Sequence, residues 1–381
     1  MRTIAALLLA GLSALSLHAD QRPHLVVTAL EVNELGHPIV QVTLAAMKPT
    51  VPDRTFRFLF DTGAGVTVLD TSVPPDFFWE ASGGSLSLVD GTQRKVSSQT
   101  VHLKRLVLGG RTLDDLAAVR VDLKGTFLGQ LQDEPVDGIL GMNALKGTQF
   151  VMDLERKELR WWQGLEGHSL PLGYNPSGCP TFDITLSNTT VPCMVDTGAT
   201  GGFQVPGEAG GSPDPEQTFY YASMAGSILE GRTFRVPRIP AGDRAWSDVD
   251  LDVVKPGEGT PQVGLTVLAA APVAYDFLHN RITFTARSDG SLPYRKEPRR
   301  ISLAWGSRTG ERFLTIQPLR PASAYFKAGL RTGDHVLKVG PFEGETLSIK
   351  AVRDYLDKGE PHTWSVRRGA ERVEVSVPAI R

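Results

Sequence analysis

Two copies of one short motif contain the residues best suited to chemistry. FLFDTGAGVTVLD, residues 58–70, contains one Asp-Thr-Gly-Ala, and MVDTGATGGFQV, residues 194–205, contains the other. Two carboxyl groups about 3 Å apart cannot both ionise at low cost, so they share one proton and their pKa values separate. Such a pair holds a base that activates a water and an acid that protonates the attacked carbonyl oxygen. The motifs therefore predict a catalytic dyad of Asp61 and Asp196.

Each Asp is predicted to stand at the end of a strand. In TFRFLFD, residues 55–61, alternation places Phe56, Phe58 and Phe60 on one face, which is typical of a strand with a buried side. The second Asp follows the apolar run at residues 193–195. Because Gly tolerates backbone conformations that other residues avoid, the Gly two residues after each Asp permits a tight turn there.

The segments around the two motifs repeat in the same order. Each half has a strand hairpin that ends in the Asp, a long hairpin after it, an apolar pair followed by Gly, and a closing hairpin. The Gly motif is Ile139-Leu140-Gly141 in the first half and the looser Gln262-Val263-Gly264 in the second. A repeated order of this kind indicates duplication of a structural unit. One chain is therefore expected to supply both Asp residues.

The long hairpin in each half is expected to cover a cleft as a flap. Asp90-Gly91 lies between two alternating runs, which is a strong hairpin signal. Ala225-Gly226 is the corresponding tip in the second half. Ordinary surface hairpins are the alternative, and the position directly after an Asp motif favours flaps.

These motifs resemble the retropepsin-like aspartic proteases of the pepsin and retropepsin clan. The resemblance rests on the two DTGA motifs and on Ile-Leu-Gly before a short helix, and it covers about residues 24–286. It implies a mainly β fold with two pseudo-symmetric β-barrel lobes in one chain. In this family the Thr residues hydrogen-bond to the opposite loop, and the Gly residues place amide groups against the carboxylates. The resemblance thus implies that the dyad is supported by Thr62, Gly63, Ala64, Thr197, Gly198 and Ala199.

The Ala that ends each motif has a consequence for pH dependence. Pepsin-like members often have Ser at this position, and its hydroxyl donates to the carboxylate and favours the charged form. Ala64 and Ala199 lack that donor, so the dyad pKa values should be higher. We therefore expect a weakly acidic optimum.

The last part of the chain has a different pattern. AGLRTGDHVLKV, residues 328–339, resembles the helix-to-strand signature of PDZ domains, and the resemblance covers about residues 299–381. PDZ domains add an extended peptide, usually a C-terminus, to a strand edge beside a loop of backbone amides. By position, the carboxylate-binding loop is Gly310, Glu311, Arg312 and Phe313, and the pairing edge begins at Leu314 and runs to Ile316. A packing module without a ligand is the alternative.

The first residues are typical of a secretory signal. Arg2 supplies positive charge, Ile4 to Leu17 is apolar, and Ala19 is a small residue at the cleavage position. The run is shorter than the ~18–20 residues of a membrane span, and an uncleaved anchor is the alternative. The protein is expected to be secreted or periplasmic, with the bacterial periplasm preferred. The predicted organisation is a signal peptide at 1–19, an N-terminal protease lobe at 20–163, a C-terminal protease lobe at 164–286, a linker at 287–298 and a PDZ-like domain at 299–381.

Composition excludes several classes of partner. The 381 residues have a formal net charge of −2, which argues against nucleic acid as a ligand. The eight His and two Cys have no metal-ligand spacing, so no metal and no cofactor is expected. His37 and the other His residues at strand ends are expected at the surface. Cys179 and Cys193 could form a disulfide, but with the turn at 187–188 Cys193 should face Phe182 instead.

These observations predict an exported aspartic endopeptidase with a PDZ-like peptide-binding module. The expected partners are a peptide or protein substrate and a C-terminal peptide bound by the PDZ-like domain. A monomer without a membrane span after signal cleavage is expected. The alternative is a catalytically silent protein that uses the two-lobed cleft to bind peptides. Retention of both Asp-Thr-Gly triplets favours the enzyme, because a binding protein would not require them.

Overall fold

The computed structural model of the protein describes residues 26–89, 95–161, 164–186, 189–207, 218–222, 228–295, 301–308, 311–321 and 323–380. The predicted signal peptide, both hairpin tips (Asp90-Gly91 and Ala225-Gly226) and Gly310 lie outside these residues. Within the described part of the chain, no helix combines the length and the apolar character that crossing a membrane requires. The predicted mainly β fold is confirmed, since most elements are strands.

The elements of the first half are β1 Val26–Ala29, β2 Glu31–Val32, β3 Pro38–Leu44, β4 Arg54–Phe60, β5 Thr67–Asp70, β6 Phe78–Val89, β7 Lys95–Leu108, β8 Arg111–Val121, α1 Phe127–Gln130, β9 Gly138–Leu140, α2 Met142–Leu145, β10 Gln149–Asp153 and β11 Glu158–Trp161. Those of the second half are β12 His168–Pro171, β13 Gly173–Tyr174, β14 Pro180–Leu186, β15 Thr189–Val195, β16 Phe203–Pro206, β17 Thr218–Ala222, β18 Ile228–Ala241, β19 Arg244–Val254, β20 Gln262–Val263, α3 Leu265–Leu268, β21 Val273–Asp276 and β22 Arg281–Phe284. The C-terminal region has β23 Leu303–Arg308, β24 Glu311–Ile316, α4 Ala324–Ala328, β25 His335–Val339, β26 Phe342–Glu343, α5 Ile349–Leu356, β27 His362–Arg368 and β28 Glu371–Val377.

The two halves form sheets with the same strand order. The first sheet is β2-β3-β4-β9-β5-β8-β7-β6, and the second is β13-β14-β15-β20-β16-β19-β18-β17. Each strand of the first sheet thus has a counterpart in the second at the same place in the order. β4 and β15, the strands that precede the two Asp residues, occupy the same position in their sheets.

A third sheet joins the halves. Its order is β1-β11-β10-β21-β22-β12, and β10 of the first half pairs antiparallel with β21 of the second. Phe150 on β10 stacks on Tyr275 on β21, with ring centroids 4.8 Å apart. One hydrophobic cluster contains buried side chains of both halves, including Phe60 and Phe284. The two halves are therefore held together by continuous packing, because interior side chains contact across the join.

The predicted Gly motifs lie where two backbones pass close to each other. β9 and β20 are each inserted between two strands of their sheet, and a helix of four residues follows each. A Cβ at Gly141 would be 2.5 Å from the Val66 carbonyl oxygen, and one at Gly264 would be 2.5 Å from the Gly201 carbonyl oxygen. A side chain at either position would therefore separate the crossing backbones.

The start of the predicted linker is part of the second half. Leu292 is buried, and its N–H donates to the Ala245 carbonyl at 2.8 Å. The Tyr294 hydroxyl accepts a hydrogen bond from the Asp250 N–H at 3.1 Å. The predicted linker at residues 287–298 thus begins with residues that contact β19.

The C-terminal region has its own sheet, β23-β24-β25-β27-β28, and its own hydrophobic cluster under α5. The predicted pairing edge from Leu314 to Ile316 was wrong. Leu314 pairs with Trp305 of β23 on one side and with Val336 of β25 on the other, so its strand is internal. An additional strand, β23, covers that edge, and no strand lies beyond β23 among the described residues.

Candidate active site

The two Asp residues follow equivalent strands and receive the same backbone support. Asp61 follows β4, and its N–H donates to the Leu140 carbonyl at 3.1 Å. Asp196 follows β15, and its N–H donates to the Val263 carbonyl at 3.0 Å. β9 and β20 are the strands of the Gly motifs. Each supplies the carbonyl that accepts the Asp N–H, and this hydrogen bond fixes the position of the Asp backbone.

The Thr residues of the two motifs hold the two loops together. The Thr62 N–H donates to the Thr197 hydroxyl at 3.0 Å, and the Thr197 N–H donates to the Thr62 hydroxyl at 3.2 Å. Each hydroxyl also donates across the join, from Thr62 to the Val195 carbonyl at 2.6 Å and from Thr197 to the Phe60 carbonyl at 2.7 Å. Both Thr residues are fully buried. Because buried hydrogen bonds are costly to leave unmade, this set holds the loops in one register.

The Gly residues bring the carboxyl groups within reach of backbone donors. Asp61 Oδ1 accepts from the N–H groups of Gly63 at 2.8 Å and Ala64 at 3.1 Å. Asp196 Oδ1 accepts from the Gly198 N–H at 2.8 Å. Each carboxyl also lies over the opposite loop: a Cβ at Gly63 would be 2.4 Å from Asp196 Cγ, and one at Gly198 would be 2.5 Å from Asp61 Oδ2.

Burial changes the protonation of both carboxyl groups. Burial raises the pKa of Asp61, and the N–H donors of Gly63 and its neighbours oppose the shift by stabilising the charge. The pKa of Asp196 is raised well above its usual range, first by burial and then by the negative charge of Asp61. Since two adjacent charges are unfavourable here, the pair keeps a shared proton to a higher pH than an isolated carboxyl group would.

This geometry can activate water. One carboxylate can accept a proton from a water between the two groups, while the protonated partner donates to an acceptor on a bound molecule. Backbone amides fix the orientation of both carboxyls, so little reorganisation is needed during proton transfer.

Residues 47–144 match the model of a family described as aspartyl protease. The match supports a retropepsin-like aspartyl protease. It includes Asp61 and Gly141, while Asp196 lies beyond the matched residues. No curated protein matched the chain.

Two further residues contact the site, and sequence reasoning missed both. Cys179 and His37 each precede a Pro that begins an equivalent strand, β14 or β3. Cys179 Sγ donates to the Gly63 carbonyl at 3.2 Å. The His37 ring lies against the Gly198 backbone, and burial, aided by the nearby Arg353 charge, lowers the pKa of His37 to about 4. The sequence held one signal for these two residues: each is followed by a Pro that begins an equivalent strand.

The surface prediction for His37 was therefore wrong, since 4% of its area is exposed. The polar turn before β3 gave no local sign of burial, which results from packing against the other half and the C-terminal region. His37 therefore adds no charge beside the carboxyl groups at neutral pH, because its imidazole is deprotonated well above a pKa of about 4.

The two Cys residues are buried free thiols. Cys193 pairs with Phe182, as predicted from the turn position. Burial raises the pKa of Cys179 to about 12, and the charges of Asp61 and Asp196 add to the shift. Burial also raises the pKa of Cys193 to about 12. Both thiols are therefore protonated and poorly reactive at neutral pH.

The other predicted site positions belong to the long hairpins and to the C-terminal region. The long hairpins pair as far as Val89 with Lys95 and Ala222 with Ile228, and the tips beyond them lie outside the described residues. Glu311, Arg312 and Phe313 lie in β24 of the C-terminal sheet. In the part of the chain that the structure describes, no group of three or more His, Cys, Asp or Glu could hold a metal ion.

Proposed function

We propose that this protein is an exported aspartic endopeptidase in which two pseudo-symmetric lobes each supply one Asp to a shared site. The observation that supports this most is the reciprocal hydrogen bonding of Thr62 and Thr197. It joins two DTG loops from one chain around a pair of partly buried carboxyls. The same strand order in both sheets and the aspartyl protease match of residues 47–144 add support. Because both Asp residues belong to one chain, a monomer suffices.

In the proposed mechanism, the ionised member of the pair takes a proton from a water that lies between the carboxyls. That water attacks the scissile carbonyl carbon, while the protonated member donates to the carbonyl oxygen. The roles then reverse, and a proton moves to the amide nitrogen as the C–N bond breaks. Either Asp61 or Asp196 can hold the first proton, because the titration belongs to the coupled pair.

The region from residue 299 to 381 is proposed to be a PDZ-like peptide-binding module. Its sheet carries α5 on one face, and β23 is one of its two edge strands. An extended peptide would add to β23 by backbone hydrogen bonds. The apolar leader at residues 4–17 is the reason to propose export, with the bacterial periplasm preferred.

A test of the proposal uses a mixture of denatured proteins at several values between about pH 3 and pH 7. New N-termini would be sequenced after incubation with the wild type, Asp61→Asn and Asp196→Asn. We expect cleavage by the wild type and none by either variant. If the wild type cleaves nothing across this range, the endopeptidase proposal fails. If a single substitution leaves activity intact, the shared dyad is wrong.

A further inference from the structure

One carboxylate of the first half makes several hydrogen bonds to the C-terminal region. Asp133 Oδ1 accepts from the Trp305 indole N–H at 2.9 Å and from the Ile349 N–H at 2.8 Å. Asp133 Oδ2 accepts from the Lys350 N–H at 2.8 Å. The next helical N–H is satisfied within the region itself, since Ser348 accepts from Ala351. Asp133 thus supplies the acceptors for the first two N–H groups of α5, where an anion is favourable.

The three groups that donate to Asp133 belong to two elements of the C-terminal region. Trp305 lies on the edge strand β23, and Ile349 begins α5. A peptide strand added to β23 would run about 4.8 Å from it, on the side without a strand partner. The side chain of Trp305 shares a face with its pairing partner Leu314, which is buried under α5. A carboxylate hydrogen-bonded to both β23 and α5 therefore lies between these two elements.

The segment that ends at Asp133, residues 127–133, also contacts the C-terminal region, and hydrogen bonds to residues 33 and 34 hold it in place. α1 contacts β23, so the segment reaches the edge strand. The Asp133 N–H donates to the Glu34 carboxylate, and Arg353 of α5 donates to the Glu34 carbonyl. Asn33 donates to the Gln132 side chain at 3.2 Å in a buried contact. These bonds hold the segment in place while its carboxylate accepts hydrogen bonds from β23 and α5.

We propose that residues 127–133 are an internal ligand of the groove between β23 and α5. This inference rests on the proposed peptide-binding role of the C-terminal region. An acidic peptide competes with Asp133 for the α5 N-terminus and for the edge of β23, so it binds only when Asp133 has left. The apparent affinity for such a peptide is reduced by the fraction of time that the groove is open.

The test is binding of a fluorescein-labelled peptide with the sequence of residues 127–136, FLGQLQDEPV, to the full chain. Asp196→Asn is present in every chain, so that the probe is not cleaved. Asp133→Ala is compared with the unaltered segment and with Glu134→Ala. Glu134 is the matched control, because it is the adjacent acidic residue and its side chain is 79% exposed and near Arg57 instead of α5. A second probe with Ala in place of Asp133 tests the carboxylate.

We expect the Asp133→Ala chain to bind the probe at least about tenfold more tightly than the other two chains. The Ala-containing probe should lose that gain, and Trp305→Phe should give a smaller gain because it removes one donor. Hydrogen exchange of the Ile349 and Lys350 amides should accelerate in the Asp133→Ala chain. Equal binding by all chains overturns the inference, as does the same gain in Glu134→Ala or unchanged exchange at both amides. Hydrolysis is measured separately in chains that keep Asp196. Failure of the proposed endopeptidase activity is thereby distinguished from failure of the proposal that residues 127–133 are an internal ligand.

Discussion

Substitution of Gly63 by Ala tests how closely the two halves of the dyad must approach. The new Cβ would be 2.4 Å from Asp196 Cγ and 2.5 Å from its Oδ1. The Gly63 backbone is outside the left-handed region, so the change adds no conformational strain of its own. Its effect would come from the contact alone.

The size of that effect follows from the displacement it requires. Ordinary contacts begin at 3.4 Å, so the Asp196 carboxyl must move by about 1 Å. The Thr62 and Thr197 hydrogen bonds prevent the two loops from separating to relieve the contact. A misplacement of about 1 Å in a catalytic group can reduce the rate by about 100-fold. We therefore expect kcat/KM to fall by about that factor in Gly63→Ala.

The assay is hydrolysis of a fluorogenic peptide whose sequence is taken from a mapped cleavage site. Gly198→Ala should lose a similar factor, because its Cβ would be 2.5 Å from Asp61 Oδ2. Gly164→Ala is the matched control, since a Cβ there meets nothing within 4 Å. Thermal unfolding shows whether each variant is folded. A folded Gly63→Ala protein with kcat/KM within threefold of the wild type would refute the proposed close approach.

Three further predictions concern the same site. Thr62→Val removes the hydroxyl bond to the buried Val195 carbonyl and should lower the free energy of unfolding by about 1–3 kcal/mol; urea denaturation with no change in midpoint would contradict this. Burial raises the folded-state pKa of Asp196, so the folded protein binds more protons than the unfolded chain above the unfolded Asp pKa of about 3.9. Stability should therefore be fully present below that pH and fall as pH rises through the folded pKa, and Asp196→Asn should remove much of this fall in thermal melts. Cys179 and Cys193 are buried protonated thiols, so a thiol reagent should label neither in the folded protein and both after unfolding; one or no label after unfolding would reveal an altered or bridged pair.

Much of the site could be predicted because its signals are local. An alternating strand that ends in Asp-Thr-Gly specifies a carboxyl at a strand end followed by a turn, and the structure has this arrangement at Asp61 and Asp196. Repetition of the same segments predicted equivalent surroundings, and the two sheets share one strand order. The helix after each Gly motif also follows from the local pattern, at Met142 and Leu265.

The features that sequence reasoning missed depend on contacts between distant segments. The alternation of β24 identifies a strand but does not say which strands flank it, so β23 took the edge position assigned to Leu314. The polarity around His37 and Asp133 likewise does not indicate that one is buried beside Gly198 and the other is bound by α5. The sequence by itself determined which residues could form a dyad and on which strands they end. Only the tertiary structure decided which strand lies at the edge of the C-terminal sheet and which distant residues contact α5, because pairing and burial are set by segments that are far apart in the chain and meet when it folds.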